Sequence, residues 1–392
     1  MMETAVGVAS LLVLFILAAG ASCWTIAVLK LLANSRRLPQ GLSDAAAQLL
    51  VLLGYKPHGP LVEWSPRRPV PWGLVDLVGT LVLYFLGAVA VRLVIDQFGW
   101  LPRGPGELDE TKLPLQEKAV LVWANIAISV GLLVVVGSLI SLRLGATARD
   151  FGFSARQLWS DLKLGLTGFV MLAPPVYAIQ GLLVYFWKPS KHPLMEMFKE
   201  SPDPGFFAVL FAAAAVVAPL FEELVFRVLL QGLLEKAFSF AGAAHELVLG
   251  SPRGPVETMH LTAPASGAQE NPVAAEIIFL SDQRESDANP YAASAVIGEG
   301  IVPAEVVESE DQQELRGPVA WLPIAVSSAI FALLHYDHGP DWVPLLLLAA
   351  GMGYLYQRTH RVVPCLVVHA LLNSLSMFGL WLQVFVMPDQ GL

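Results

Sequence analysis

The stretch Pro219-Leu220-Phe221-Glu222-Glu223-Leu224-Val225-Phe226-Arg227 constrains the fold of this chain more than any other, because it sets three ionisable side chains in a run otherwise suited to lipid. Burying one such group near a bilayer centre costs roughly 3 kcal/mol on insertion scales, so these groups normally face the interior of a helical bundle and serve a function. On a helix, Glu223 and Arg227 stand at i and i+4 with the acid first, the favoured orientation for a pair, while Glu222 points elsewhere. The simplest division of labour has Arg227 neutralise and orient Glu223, leaving Glu222 free for chemistry or for a metal.

The surrounding sequence supports a membrane setting. Of 392 residues, 55% are hydrophobic and only 15% charged, with a mean hydropathy of +0.60, which is outside ordinary soluble composition and indicates an all-α polytopic membrane protein. Cys23 and Cys365 both sit in apolar runs and offer neither a disulfide framework nor a cysteine zinc site. The net charge of −9 is local in origin: residues 239–316 hold 13 acids and 3 bases, which leaves +1 for the rest.

Apolar runs at 5–33, 73–96, 119–142, 164–187, 206–234, 322–337, 342–357 and 363–386 predict about eight transmembrane helices. The first reads as an uncleaved anchor, since Met1 to Ser10 contains no Lys or Arg and no convincing cleavage site follows. Loop 34–71 carries Arg36, Arg37, Lys56, Arg67 and Arg68; loop 143–163 carries Arg143, Arg149, Arg156 and Lys163; the turn at 358–361 carries Arg358 and Arg361. All three are expected on the cytoplasmic side, with both termini outside, although Lys188, Lys191 and Lys199 in loop 188–204 pull the other way. The expected organisation is an N-terminal transmembrane region at 1–118 and a catalytic membrane domain at 119–238 and 317–392. Between its halves, 239–316 reads as an acidic, low-complexity, largely disordered cytoplasmic insertion.

Three further polar constellations come after the insertion, one of them Tyr336-Asp337-His338 at a helix end. Phe331-x-x-x-His335 and His369-x-x-x-Asn373 each place a pair on one helix face, able to point at a common cavity. A lone intramembrane His often only bonds a neighbouring helix. Counted from span ends on one face, near Leu234 for Glu222, Leu322 for His335 and Val363 for His369, Glu222 and His335 lie roughly 18 Å deep and His369 roughly 11 Å, so convergence needs tilt or a recessed turn.

Taken in order, Glu222-Glu223-x-x-x-Arg227, Phe331-x-x-x-His335 and His369-x-x-x-Asn373 resemble the three motifs of the CPBP or Abi family, which includes the type II CAAX prenyl endopeptidases. The resemblance covers about 120–386, including Gly351-Met352-Gly353-Tyr354-Leu355-Tyr356-Gln357-Arg358-Thr359. It implies an intramembrane peptidase in which Glu222 and His335 activate water while His369 and Asn373 hold the oxyanion. Glu223 and Arg227 complete the site. Val228 stands where the family usually has Gly, and the long insertion between the first two motifs is unusual.

Peptide hydrolysis needs a base for water and donors for a tetrahedral oxyanion, which these residue types supply. Glu222, His335 and His369 would also make a three-ligand zinc site with an open position. Without a His-Glu-x-x-His helix, the metal-free glutamate mechanism is the favoured of the two. An ion-coupled transporter and a non-catalytic scaffold or immunity-type peptide-binding protein are the competing classes; no internal repeat of the transporter kind is evident. The expected partners are membrane lipid and a peptide or protein substrate, prenylated in the family's eukaryotic role, and no nucleic acid. A bacterial source would place the protein in the inner membrane.

Overall fold

A computed structural model describes residues 2–101, 110–187, 193–239, 244–253, 315 and 317–387. Helices are the regular structure throughout: α1 (Met2–Ala33), α2 (Gln40–Leu52), α3 (Leu74–Phe98), α4 (Leu115–Leu144), α5 (Leu158–Phe186), α6 (Pro193–Glu200), α7 (Pro204–Ser239), α8 (Ala244–Leu249), α9 (Leu322–Leu333), α10 (Trp342–Thr359) and α11 (Val363–Trp381). Among the described residues there is no strand.

Among the described residues, six helical segments are long and apolar enough to cross a bilayer: Val6–Ala33, Leu74–Phe98, Leu115–Leu144, Ala155–Phe186, Pro204–Ser239 and Val363–Val386. Two expected spans are shorter helices. α10 has 18 residues and α9 only 12, and 12 residues rise roughly 18 Å against a hydrocarbon core of about 30 Å. The expected span 322–337 ends early because Tyr336–His338 forms a single 3₁₀ turn and Gly339, at φ 96, takes a backbone conformation that L side chains avoid.

Large apolar side chains such as Leu11, Phe15, Phe85 and Val134 are exposed on the outer helices, as lipid contact requires. The main core lies where α5, α7, α10 and α11 meet, around Phe169, Ala173, Val228, Leu229, Met352, Tyr356, Cys365 and Val368. Small residues let these helices approach. A Cβ on Gly165 of α5 would fall 2.5 Å from Val367 Cβ of α11, and one on Gly20 of α1 would fall 2.4 Å from the Val170 carbonyl of α5. Trp24 of α1 adds a hydrogen bond from Nε1 to the Met171 carbonyl at 2.9 Å. Val228, in place of the family's usual Gly, is absorbed into this core at 1% exposure.

One end of the bundle is closed by an extended strap, residues 62–73. Arg358 Nε donates to the Val62 carbonyl at 2.9 Å, and Ser65 N donates to the Arg358 carbonyl at 2.8 Å. Arg67 donates to Tyr356 Oη at 2.8 Å and to Glu235 Oε2 at 2.9 Å. His360 donates from Nδ1 to the Ser65 carbonyl at 2.7 Å and brings Nε2 to 3.3 Å from Glu235. Arg361 pairs with buried Asp161 beside Ser160. Loops 34–71, 143–163 and 358–361 thus gather at one end, as their shared positive charge predicts.

The expected insertion also begins at this end, and its first residues correct the expectation. α8 and Gly250–Arg253 are ordered: Ser251 N donates to the Pro71 carbonyl at 2.7 Å, Arg253 N to the Leu144 carbonyl at 2.8 Å, and Arg253 Nη2 to the Pro69 carbonyl at 2.9 Å. Gly250, at φ 86, makes the approach possible, because a Cβ there would lie 2.5 Å from Pro71 O. The expectation of disorder for 240–243, 254–314 and 316 falls outside the described residues.

Candidate active site

α7 carries the first motif, and its hydrogen-bond pattern is set by a proline. The helix widens to π geometry at Ala213–Val217 and again at Leu224–Gln231. In the first widening, Ala218 N–H reaches back to Ala213 O instead of Ala214 O. The next donor in that register would be residue 219, which is Pro and has no N–H. The Ala214 carbonyl is therefore left without its helical donor, and Asn373 of α11 supplies one from Nδ2 at 2.8 Å. Such π-widenings recur at functional sites for this kind of reason.

The two adjacent carboxylates have different surroundings. Glu223 is fully buried between two cationic or donor groups: Arg227 Nε is 3.1 Å from Oε2, and His369 donates from Nδ1 to Oε1 at 2.9 Å. The predicted i, i+4 pair is present, and Glu223 additionally holds the histidine of the third motif. The side chain of Glu222 is 24% exposed and faces His369 Nε2 at 3.7 Å. His335 lies near enough to interact electrostatically with Glu222.

Phe331 spaces the two histidines. Its ring centroid is 4.9 Å from that of His335 and 6.0 Å from that of His369, and Phe226 meets it edge-on at 5.2 Å. The Arg227 guanidinium lies 5.5 Å from the same ring centroid, and its Nη1 and Nη2 find no hydrogen-bond partner among the described residues. His335 sits just beyond α9 and not within a span; its Nδ1 donates to the Phe331 carbonyl at 2.8 Å, which keeps the two side chains on one side. All six expected residues, Glu222, Glu223, Arg227, His335, His369 and Asn373, therefore gather around the middle of α7.

Sequence reasoning missed the polar chain that continues along α7. Gln231, fully buried, donates to the Gly353 carbonyl of α10 at 2.8 Å and to Glu235 at 3.0 Å, and accepts from Ser327 of α9 at 3.3 Å. Gln231 and Glu235 come after Arg227 at steps of four, and that spacing is the signal that could have found them. Among the described residues no group of three or more His, Cys, Asp or Glu side chains is arranged to hold a metal ion.

A helical bundle built for lipid, with a buried Glu–His–Arg cluster opening on a second carboxylate, defines a polytopic membrane protein with an enzyme-like polar centre. A family model described as type II CAAX prenyl endopeptidase Rce1-like matches residues 204–256 and 306–375, which include every motif residue. Over about a third of the chain, the region carrying the motifs is similar to type II CAAX prenyl endopeptidases. The match leaves out 257–305, inside the insertion. No curated protein and no solved structure matches the chain.

Proposed function

We propose that the protein is an intramembrane endopeptidase that hydrolyses peptide bonds of membrane-associated or lipid-modified proteins or peptides, with Glu222 as general base. The observation that carries the reading is the contrast between neighbours: Glu223 is locked by Arg227 and His369, whereas Glu222 is partly open and faces His369 across 3.7 Å. A water beside Glu222 and His335 lies within reach of a base.

The water gives a proton to Glu222 as its oxygen attacks the scissile carbonyl, and the carbonyl π pair becomes the oxyanion. Asn373 has one Nδ2 hydrogen on Ala214 O and a second to offer that oxyanion. His369 has committed Nδ1–H to Glu223, so it donates from Nε2 only as imidazolium, with a carboxylate on each side of its ring. Collapse of the intermediate breaks the C–N bond, and Glu222 returns its proton to the leaving amine. Glu223 and Arg227 keep the histidine in place throughout.

The mechanism needs no metal. Support for this comes from the lack of a gathered set of metal-ligating side chains among the described residues. The test is proteolysis of a peptide library, with prenylated and unmodified members, by the purified protein with and without chelator. Cleavage that survives chelation with substoichiometric metal, and is lost in Glu222→Gln, is expected. Stoichiometric metal that disappears in His369→Ala together with activity would replace this mechanism with the zinc one.

A further inference from the structure

α2 lies in the loop expected to be simply polar, and its surface divides into three arcs. At about 100° per residue, Ala46 and Leu50 share one face, buried against Ile26, Leu29, Leu32 and Ala33 of α1. Gln40, Asp44 and Gln48 form a second, polar face. Opposite the polar face stand Leu42 and Leu49, each 48% exposed; Leu52, 82% exposed, lies at the edge of that arc about 40° from Gln48, and Val51, 60% exposed, falls within the polar face. The apolar arc is continued by Leu53 and Tyr55 after the helix, both exposed, and Val28 and Leu31 in the last turns of α1, a bilayer-crossing segment, are exposed as well.

Packing against α1 accounts for only one of these arcs. A soluble helix has no reason to present Leu42 and Leu49 opposite its polar stripe, whereas a helix lying in a membrane interface requires that arrangement. α2 crosses the last two turns of α1, where that span leaves the membrane. Arg36 and Arg37 precede it and Lys56 comes after it; all three are exposed, and none forms an ion pair among the described residues. Cations placed at both ends of an interfacial helix, at headgroup level, match a leaflet of negatively charged lipid.

We infer that α2 is an interfacial helix that lies in an anionic lipid leaflet, with Leu42 and Leu49 among the acyl chains and Arg36, Arg37 and Lys56 on lipid phosphates. It is a surface for lipid distinct from the spanning helices, and it pins the end of α1 and the start of the strap at a fixed depth. The inference does not rest on the peptidase reading.

The test uses the full-length protein in vesicles, carrying Cys23→Ser so that buried Cys365 is the only native thiol left. An environment-sensitive fluorophore is attached at Leu49→Cys or at Gln40→Cys, which stand on opposite sides of the helix. Leu49 is expected to be quenched several-fold more by nitroxide-labelled lipid than Gln40 and to be shielded from aqueous iodide, and Gln40 is expected to be open to iodide. Equal iodide access at both positions, or shielding of Leu49 from both quenchers as a second copy or a protein partner would give, overturns it. In the second arm, lipid quenching at Leu49 is expected to rise from phosphatidylcholine to phosphatidylglycerol vesicles, and that rise to vanish in Arg36→Gln/Arg37→Gln/Lys56→Gln. A response that ignores lipid charge overturns the choice of anionic lipid.

Discussion

The Asn373 side-chain amide of α11 donates to the Ala214 backbone carbonyl of α7 at 2.8 Å, at a point where α7 has no donor of its own. Pro219 creates that opening. Supplying an N–H there by Pro219→Ala is expected to set a helical donor in competition with Asn373, to loosen its amide, and to lower kcat with KM nearly unchanged. Asn373→Ala should cost roughly 10²–10³ in kcat, as for loss of one preorganised donor, and Pro219→Ala should cost less. Steady-state kinetics of both variants and their combination check this; in the double variant the proline change should add little.

The two neighbouring glutamates should separate stability from chemistry. Glu222→Gln keeps shape and removes proton acceptance, so hydrolysis should cease while thermal unfolding in detergent is unchanged. Glu223→Gln or Arg227→Ala leaves a buried charge without its partner, at a cost on the order of 3–5 kcal/mol, so both stability and activity should fall. Parallel melting curves and turnover numbers distinguish the pair.

Acid should loosen the strap. Burial and the neighbouring Arg67 guanidinium hold His360 below its usual range, with Glu235 and the Ser65 carbonyl opposing them. A depressed value in the fold means that the unfolded chain takes up the proton first. The contribution of His360 is therefore full above about pH 6.5, the ordinary histidine value, and is lost as pH falls toward its folded value. Asp150 has the same sign at lower pH: burial pushes it up, but hydrogen bonds from Thr147 and Arg253 prevail and hold it below the carboxylate range. Unfolding measured from pH 8 to 5 should show the loss, and His360→Gln should flatten it between pH 7 and 5.

The insertion should be divisible. Replacing 257–305, the stretch that the family model passes over, with a short Gly/Ser linker is expected to leave folding and basal hydrolysis intact, because loop length costs little. Removing 244–253 as well should destabilise the protein, since Ser251 and Arg253 hold the strap through Pro71 and Pro69. Expression level and melting temperature of the two deletions test the boundary.

Much of the fold and of the site was legible in the sequence, for identifiable reasons. Carboxylates, a guanidinium and two imidazoles inside apolar helices have few tolerable environments, so Glu223 could be expected to pair with Arg227, and Glu222 to share a cavity with the two histidines. The Glu223–His369 bond was not legible, because it joins α7 and α11 and depends on how deeply each helix sits. Nor was the open Ala214 carbonyl, since a π-widening leaves no sequence signature beyond a proline that also fits an ordinary helix kink. α2 was hidden because 13 residues with three overlapping faces show neither a span nor a clean two-sided pattern. The ordered start of the insertion, 244–253, was masked by the acidic, Pro- and Ser-rich composition of residues 254–316.

Arg67 finds its partners 168 and 289 residues further along the chain, at Glu235 and Tyr356. At ordinary ribosomal speeds of about 5–20 residues per second, Tyr356 is made roughly 15–60 s after Arg67. Throughout that interval the guanidinium waits in water while most of the membrane helices are threaded into the bilayer. Only when α10 has been made can the strap seat, so birth of the protein ends where its amino-terminal third is finally fastened.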